Sequence, residues 1–280
     1  MDLYAQVSQD AARLVTNRYS TSFSMACRLF APQLRQHIYN IYGLVRLADE
    51  IVDTYTGLDQ RDILDALEVE TAIASQRGYS SNLIVHAFAL TAREYGISAS
   101  LIEPFFASMR QDITKRHYDV RELGEYVFGS AEVVGLMCLR VFTGGRAADY
   151  DKLKPGAQAL GAAFQKVNFL RDLAADHDEL GRTYFPGIEF GDFSDTAKRA
   201  IEDEIAADFA QAHVAINQLP PTARSAVELA YVYYLELFNR IRATPAATLK
   251  TRRIRVATPV KLWLYAKAGL FARLGRGGSE

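Results

Sequence analysis

Two stretches of the chain carry residue types that can hold a divalent cation and a phosphate together. In "RLADEIVD", residues 46–53, Asp49 and Asp53 stand four apart, and Arg46 precedes Asp49 by three. Each residue of an α-helix turns ~100°, so positions i, i+3, i+4 and i+7 share a face. Tyr42, Arg46, Asp49 and Asp53 therefore form one stripe, and Glu50 falls off it. Taken alone, such a stripe reads as a solvated helix face with an Arg–Asp pair worth roughly 0.2–0.5 kcal/mol.

A second stretch changes that reading. In "AAFQKVNFLRDLAAD", residues 162–176, Gln165, Asn168, Asp172 and Asp176 share a face, with Arg171 on its flank. The surrounding segment is rich in Ala and Gly, which suits a central helix that neighbours approach closely. A polar stripe on such a helix needs partners, because an unpaired buried charge is very costly. Two Asp-x-x-x-Asp stripes facing across a helical bundle place four carboxylates on one cavity. Hard oxygen ligands in that number suit Mg²⁺, which keeps several waters and is completed by substrate phosphates. Arginines beside them can grip phosphate oxygens in forked geometry. A metal so held stabilises a departing diphosphate, and an aromatic interior shelters the carbocation left behind.

Competing chemistries find little support. The five histidines lie in no repeated ligand spacing, and Cys27 and Cys138 are too few for a disulfide framework or a cysteine zinc site. No Gly-rich phosphate loop, Ser/His/Asp arrangement or dinucleotide fingerprint is present. Net charge is −1 over 280 residues. It is uneven, because residues 241–280 carry nine Lys/Arg and one acid, which leaves −9 on the rest. That argues against nucleic acid as a partner of the body and makes the tail the candidate for an anionic surface. "RIRVATPVKLWLYAKAGLFARLGRGG" mixes Arg253, Arg255, Lys261, Lys267, Arg273 and Arg276 with Leu, Trp and Phe, a composition suited to peripheral contact with an anionic membrane or to packing on the bundle. No signal peptide and no spanning segment are expected, so the chain reads as cytoplasmic and thiol-reduced.

The elements that must position these residues are helices. Apolar residues recur at three- and four-residue spacing through nearly every segment. Helices are expected over "QLRQHIYNIYGLVRLADEIVDTY", over "RELGEYVFGSAEVVGLMCLRVFTGG" without interruption, and over "GAQALGAAFQKVNFLRDLAADHDELG", opening after Pro155. No hairpin signal occurs. The expectation is an all-α single domain, residues 1–280, of eight to ten helices around a central cavity, with about 274–280 frayed.

The ordered set of motifs resembles the squalene/phytoene synthases, all-helical head-to-head prenyl transferases of the isoprenoid synthase fold. "YSTSFSMACRLFAP" resembles the family's Ser-x-Ser-Phe segment, and "IYGLVRLADEIVD" its first aspartate motif. "YVFGSAEVVGLM" resembles its middle-helix segment, and "FQKVNFLRDLAADHDELGRTYFP" its second aspartate motif through the Arg-x-Tyr-x-Pro that follows. The resemblance implies that Asp49, Asp53, Asp172 and Asp176, with Asn168, hold Mg²⁺ (Mn²⁺ as a substitute) and the diphosphates. It implies phosphate contacts for Ser20, Ser22, Arg46 and Arg171, and places Gln165 at the inner end of its stripe. Tyr42 and Tyr234 would face the cationic intermediate, and Arg182 and Tyr184 would sit on a closing flap. Ser20 and Ser22 also read as a helix N-cap pair, and Tyr234 as a core tyrosine.

Two positions depart from the family pattern. Phe128 stands where a second Tyr is common, and Glu132 where a Gly is common, which puts a carboxylate on a helix expected to face the cavity. His177–Leu180 is also one residue longer than usual. "LADEIVD" and "YVFGSAEVVGLMCLRVF" look more similar to bacterial phytoene synthases than to squalene synthases, which implies two geranylgeranyl diphosphates condensing through a cyclopropylcarbinyl diphosphate to phytoene without NADPH. Squalene or dehydrosqualene formation from farnesyl diphosphate stays open, as does a non-catalytic binding protein of the same fold, although the intact aspartates count against the latter. Cys27 and Tyr39 are the positions expected to set chain length.

Overall fold

Helices account for almost all regular structure in the computed structural model, which describes residues 2–261 and 263–266, with nothing taken from the side chains of Glu179 and Leu180. In order they are α1 (Leu3–Tyr19), α2 (Thr21–Cys27), α3 (Pro32–Asp53), α4 (Gln60–Arg77), α5 (Leu83–Tyr95), α6 (Ala99–Thr114), α7 (Val120–Val127), a π segment (Phe128–Glu132), α8 (Val133–Phe142), α9 (Ala147–Leu180), α10 (Asp195–Ile216), α11 (Pro221–Arg242) and α12 (Ala246–Leu249). Residues 258–261 and 263–266 are also helical. Among the described residues there is no strand, only one isolated bridge between His117 and Thr183.

α9 is the axis of the bundle. Its 34 residues run about 51 Å, and α10, α8, the π segment and α11 pack along it. The helix begins at Ala147, not after Pro155. Proline there leaves the Asp151 carbonyl without its helical donor, and Asp151 is exposed, so water can take that place. Gly161 lets the π segment touch α9, since a Cβ there would lie 2.9 Å from the Ala131 carbonyl oxygen and the Glu132 Cα.

The expected long helix over residues 121–145 is instead divided by the π segment. Gly129 sits against α6 so tightly that a Cβ would fall 2.2 Å from the Pro104 carbonyl oxygen. The wider turn carries the backbone past that contact, as π turns inside helices often do near functional sites. Asp119 and Glu122 fix the start of α7 as a reciprocal capping box.

Buried polar contacts set the register of α3. Asn40, fully buried, donates to Thr91 Oγ1 of α5 at 2.9 Å and accepts from Gln36 Nε2 at 2.9 Å. Ile38, Ile41 and Leu44, each about 1% exposed, lie on the inner face of the same helix. Burying such a side chain contributes about 1.5–3 kcal/mol, and rotation about the helix axis would break both sets of contacts. The C-terminal turn of α3, with Asp49 and Asp53, is thereby aimed at the end of α9.

Candidate active site

The first carboxylate pair closes α3. Arg46 forms an ion pair with Glu50 one turn on, and its Nη1 lies 3.9 Å from Asp49. Its guanidinium also lies 4.4 Å from the Tyr19 ring centroid. Glu50, expected to face water, is thus the nearest acid to Arg46, because the i,i+4 reach suits the long guanidinium side chain. Burial, and then the Asp53 carboxylate, push Asp49 up to about 7. Asp53 is also raised, chiefly by burial, while Arg182 and Arg46 oppose the shift.

The second pair lies in the last turns of α9. Arg171 Nε donates to Asp172 Oδ1 at 2.9 Å. Asp176 is pushed up to about 7 by burial and by Asp172, with Arg182, Arg171 and Arg253 pulling the other way. Arg182 acts on Asp53 as well as Asp176, so one guanidinium stands in the field of both pairs.

Arg182 is held from below. It is 5% exposed, its Nη1 lies 3.1 Å from Asp112 Oδ1, and it also donates to the Asp112 carbonyl oxygen. Asp112 accepts a second bond from Tyr126 Oη at 2.8 Å. Tyr184 stacks on Phe169 at 3.9 Å between ring centroids and is 6% exposed. The segment after α9, expected as a flap over substrate, is therefore anchored at Arg182 and Tyr184 in an ion pair and an aromatic stack. Asp112 was missed in the sequence although its position signals it. It continues the buried Phe105–Met109 face of α6 by one turn, where a carboxylate needs a buried partner.

A cavity of about 550 Å³ lies beside this cluster, and the four aspartates, expected to line it, are not among its lining residues; Arg171, the partner of Asp172, is. Ser20, Ser22, Tyr42, Asn168, Arg171, Tyr234 and Lys261 line its polar end; Phe30, Ile38, Phe142, Leu153, Ile216 and Leu219 line its apolar end. Ser20 is the N-cap of α2, accepting from Phe23 N at 3.2 Å, so the capping role is realised alongside the position in the lining. Tyr42 stacks on Phe23 at 4.8 Å. Tyr234 stacks on Phe164 at 3.9 Å and donates to Asn168 Oδ1 at 3.3 Å. Gln165 is half-buried and, like Cys27 and Tyr39, is not among the lining residues. Cys27 is fully buried beside the cavity; Cys138 is the cysteine that lines it.

The departing residues are also placed. Phe128 opens the π segment and packs on the core. Glu132 turns away from the cavity, where it accepts from Gln158 Nε2 of α9 at 2.9 Å, and burial raises its carboxyl. The extra width of the π turn and the close contact with Gly161 set its direction.

Two cations of the segment expected either on an anionic membrane or packed on the bundle lie at the site. Arg253 Nε lies 2.6 Å from Asp172 Oδ1, and Lys261 Nζ donates to Ser22 Oγ at 3.2 Å. Arg255 and Trp263 are exposed on the outer side. Lys267, Arg273 and Arg276 lie outside the described residues, as does the expected frayed tail.

Among the described residues no group of three acid, imidazole or thiol ligands converges on one point. The donor set instead consists of two carboxylate pairs beside arginines, which fits a cation completed by phosphate oxygens better than a protein-only cage. Raised carboxyls on adjacent acids also mark sites where added positive charge is favourable.

Comparison with known proteins agrees with this architecture. The family model described as squalene/phytoene synthase matches residues 16–259. The chain is 28% identical over 199 residues to 4,4'-diapophytoene synthase of Staphylococcus haemolyticus, covering 68% of this chain and 65% of that protein. It is 29% identical over 277 residues to chloroplastic phytoene synthase 3 of Zea mays, covering 91% of this chain and 64% of that protein. The chain therefore spans just under two thirds of the length of these two relatives. A crystal structure of a dehydrosqualene synthase in complex with ligand superposes with a TM-score of 0.81 at 19% identity, covering 96% of this chain and 98% of the other, which shows a shared fold.

Proposed function

The chain belongs to the squalene/phytoene synthase family, and from that premise we propose that it condenses two geranylgeranyl diphosphates head to head, through a cyclopropylcarbinyl diphosphate, to phytoene. The observation that carries this reading is that Arg171 and Lys261 line the polar end of an apolar cavity while Arg171 and Arg253 both pair with Asp172, and Arg182 stands in the field of Asp53 and Asp176.

Asp49, Asp53, Asp172 and Asp176, with Asn168, would hold Mg²⁺. The bound cation supplies charge neutralisation for the departing diphosphate. Arg171 and Lys261 grip phosphate oxygens at the cavity mouth, and Arg253 is released from Asp172 to do the same. Phe164 supports Tyr234 by stacking, and Tyr234 donates to Asn168, which orients both. Phe23 and Tyr42 present a stacked aromatic wall near the reacting carbons, where ring-face electrostatics favour an allylic cation. The apolar lining excludes water, so the cation reacts with the second prenyl double bond and is not hydrolysed.

A farnesyl substrate is the second reading, favoured by the diapophytoene synthase similarity. Incubation with Mg²⁺ and either prenyl diphosphate, with and without NADPH, distinguishes the two. A C40 hydrocarbon formed equally well without NADPH supports the first reading; a C30 product alone overturns it. No helix among the described residues is long and apolar enough to cross a membrane. Arg252, Arg255 and Trp263, all exposed, form the surface we assign to anionic lipid; sedimentation with phosphatidylserine vesicles tests it, and loss of binding in Trp263→Ala is expected.

A further inference from the structure

The cavity has a floor, and the sequence positions expected to set its depth do not form it. Cys27 and Tyr39 are buried outside the lining. At the apolar end, Phe30 from the turn after α2 stacks on Phe142 from the end of α8, with ring centroids 5.2 Å apart and an interplanar angle of 26°. Phe30 is 5% and Phe142 9% exposed. Leu153 of α9, Ile38 of α3, and Ile216 and Leu219 at the end of α10 complete the closure. A backbone bond from Ala31 N to the Thr222 carbonyl oxygen at 3.0 Å ties the turn carrying Phe30 to the start of α11. The floor is thus fixed to four elements and is not free to sink under a longer ligand.

α9 supplies a scale for the depth. Leu153 lies at the floor and Asn168 at the inner edge of the mouth, one turn inside Arg171, which marks the place of the diphosphate; all three are in the lining. Fifteen residues separate Leu153 from Asn168, which corresponds to about 22 Å along the helix. The neighbouring wall keeps register with this scale. A Cβ on Gly161 would meet Ala131, and one on Gly135 would meet the Ala157 carbonyl oxygen at 3.1 Å. α8 therefore runs antiparallel to α9 and reaches the level of Leu153 as it ends at Phe142.

Ligand length follows from bond geometry. Three backbone bonds of an extended chain span about 3.6 Å, so the four main-chain bonds of an isoprene unit span roughly 5 Å. Three units then reach about 14 Å, four about 19 Å and five about 24 Å. We infer that the Phe30–Phe142 stack is the stop of a chain-length gauge that accepts four isoprene units with the diphosphate at the mouth. A three-unit chain leaves more than one helical turn of the cavity unfilled, and a five-unit chain meets the stack. The inference rests on the prenyl diphosphate reading of the site and adds the residues that select its length.

A raised floor can be built in as well. Ala157 lines the cavity eleven residues before Asn168, about 16 Å from the mouth. Leucine at that position stops a chain after three units.

The test is titration calorimetry with non-ionising S-thiolodiphosphates of two, three, four and five isoprene units in Mg²⁺ buffer, which reads binding without turnover. The intact protein should bind the four-unit probe about tenfold or more tighter than the three- and five-unit probes, given that even one methylene can change discrimination by that factor. Phe142→Ala, with Phe30→Ala as the second floor variant, should move the optimum to five units. Ala157→Leu should move it to three units, and Tyr39→Phe should leave it unchanged. Circular dichroism confirms that each variant is folded. If the optimum stays at one length in Ala157→Leu and in a folded floor variant, the gauge is overturned while prenyl binding stands. If no probe binds the intact protein, the prenyl diphosphate reading itself fails, and the gauge with it.

Discussion

Arg253 and Asp172 are 81 residues apart in the chain, yet Arg253 Nε lies 2.6 Å from Asp172 Oδ1. The segment after α12 thus reaches the second carboxylate pair and covers it with a guanidinium. In this arrangement Arg253 occupies the place where a diphosphate would bring negative charge of its own. Charge-assisted hydrogen bonds contribute about 1.5–3 kcal/mol. Arg253→Ala should therefore lower kcat/KM about 10- to 100-fold, with Arg253→Lys recovering only part because it cannot fork. Steady-state kinetics on the two variants check this; full activity in Arg253→Ala contradicts a diphosphate role.

The buried pair of Asp112 and Arg182 makes a separate prediction about stability. Both are under 8% exposed, and Tyr126 also donates to Asp112. Removing one partner of such a pair costs about 3–5 kcal/mol, because the other charge is left alone in the interior. Asp112→Ala should show that loss in chemical denaturation. The double variant Asp112→Ala/Arg182→Met should regain a substantial part of it, because no unpaired charge remains. Equal losses in the single and double variants contradict the assignment.

Much of this was legible in the sequence, and the rest was hidden for identifiable reasons. The two aspartate stripes could be read because helical periodicity converts spacing directly into a shared face. The all-helical architecture followed from the same periodicity. The π segment was not legible, because its cause is the contact of Gly129 with Pro104, residues 25 apart in the chain. Arg253 and Lys261 were left between a lipid surface and packing on the bundle, because composition says nothing about where a segment folds back. Cys27 and Tyr39 were given the chain-length role from proximity along the helices to the aspartates. Their side chains point into the core beside the cavity, and direction on a helix turns on a single residue of phase. Asp112 could have been found, as a carboxylate on an apolar stripe.

The raised carboxyls predict a pH dependence of the metal-free protein. Asp49 and Asp176 stand at about 7 in the folded chain, against 3.8 for an unperturbed aspartate. Between about pH 4 and 7 the folded state therefore holds protons that the unfolded state has shed. Stability falls as pH rises through that window and levels off above it. The melting temperature in EDTA should decline from pH 5 to pH 7.5. Mg²⁺ with inorganic pyrophosphate should reverse the decline, because the bound cation favours the ionised acids. Asp49→Asn should flatten the EDTA profile; an unchanged slope contradicts the burial of that carboxyl.

Single amide substitutions separate chemistry from folding. Asp49→Asn and Asp172→Asn keep side-chain size and remove one negative charge each. Helical circular dichroism should be retained while turnover falls at least about 100-fold, the scale typical of losing an electrostatic group that acts on the transition state. Turnover near that of the parent chain in either variant contradicts the assignment of that aspartate.

The most direct measurement of the central claim is stoichiometry. Purified protein with Mg²⁺ and geranylgeranyl diphosphate, without NADPH, should release two diphosphates for each C40 hydrocarbon formed, and none after EDTA. Release of diphosphate with only a prenyl alcohol as product, or no release with either geranylgeranyl or farnesyl diphosphate, would contradict head-to-head condensation at this site.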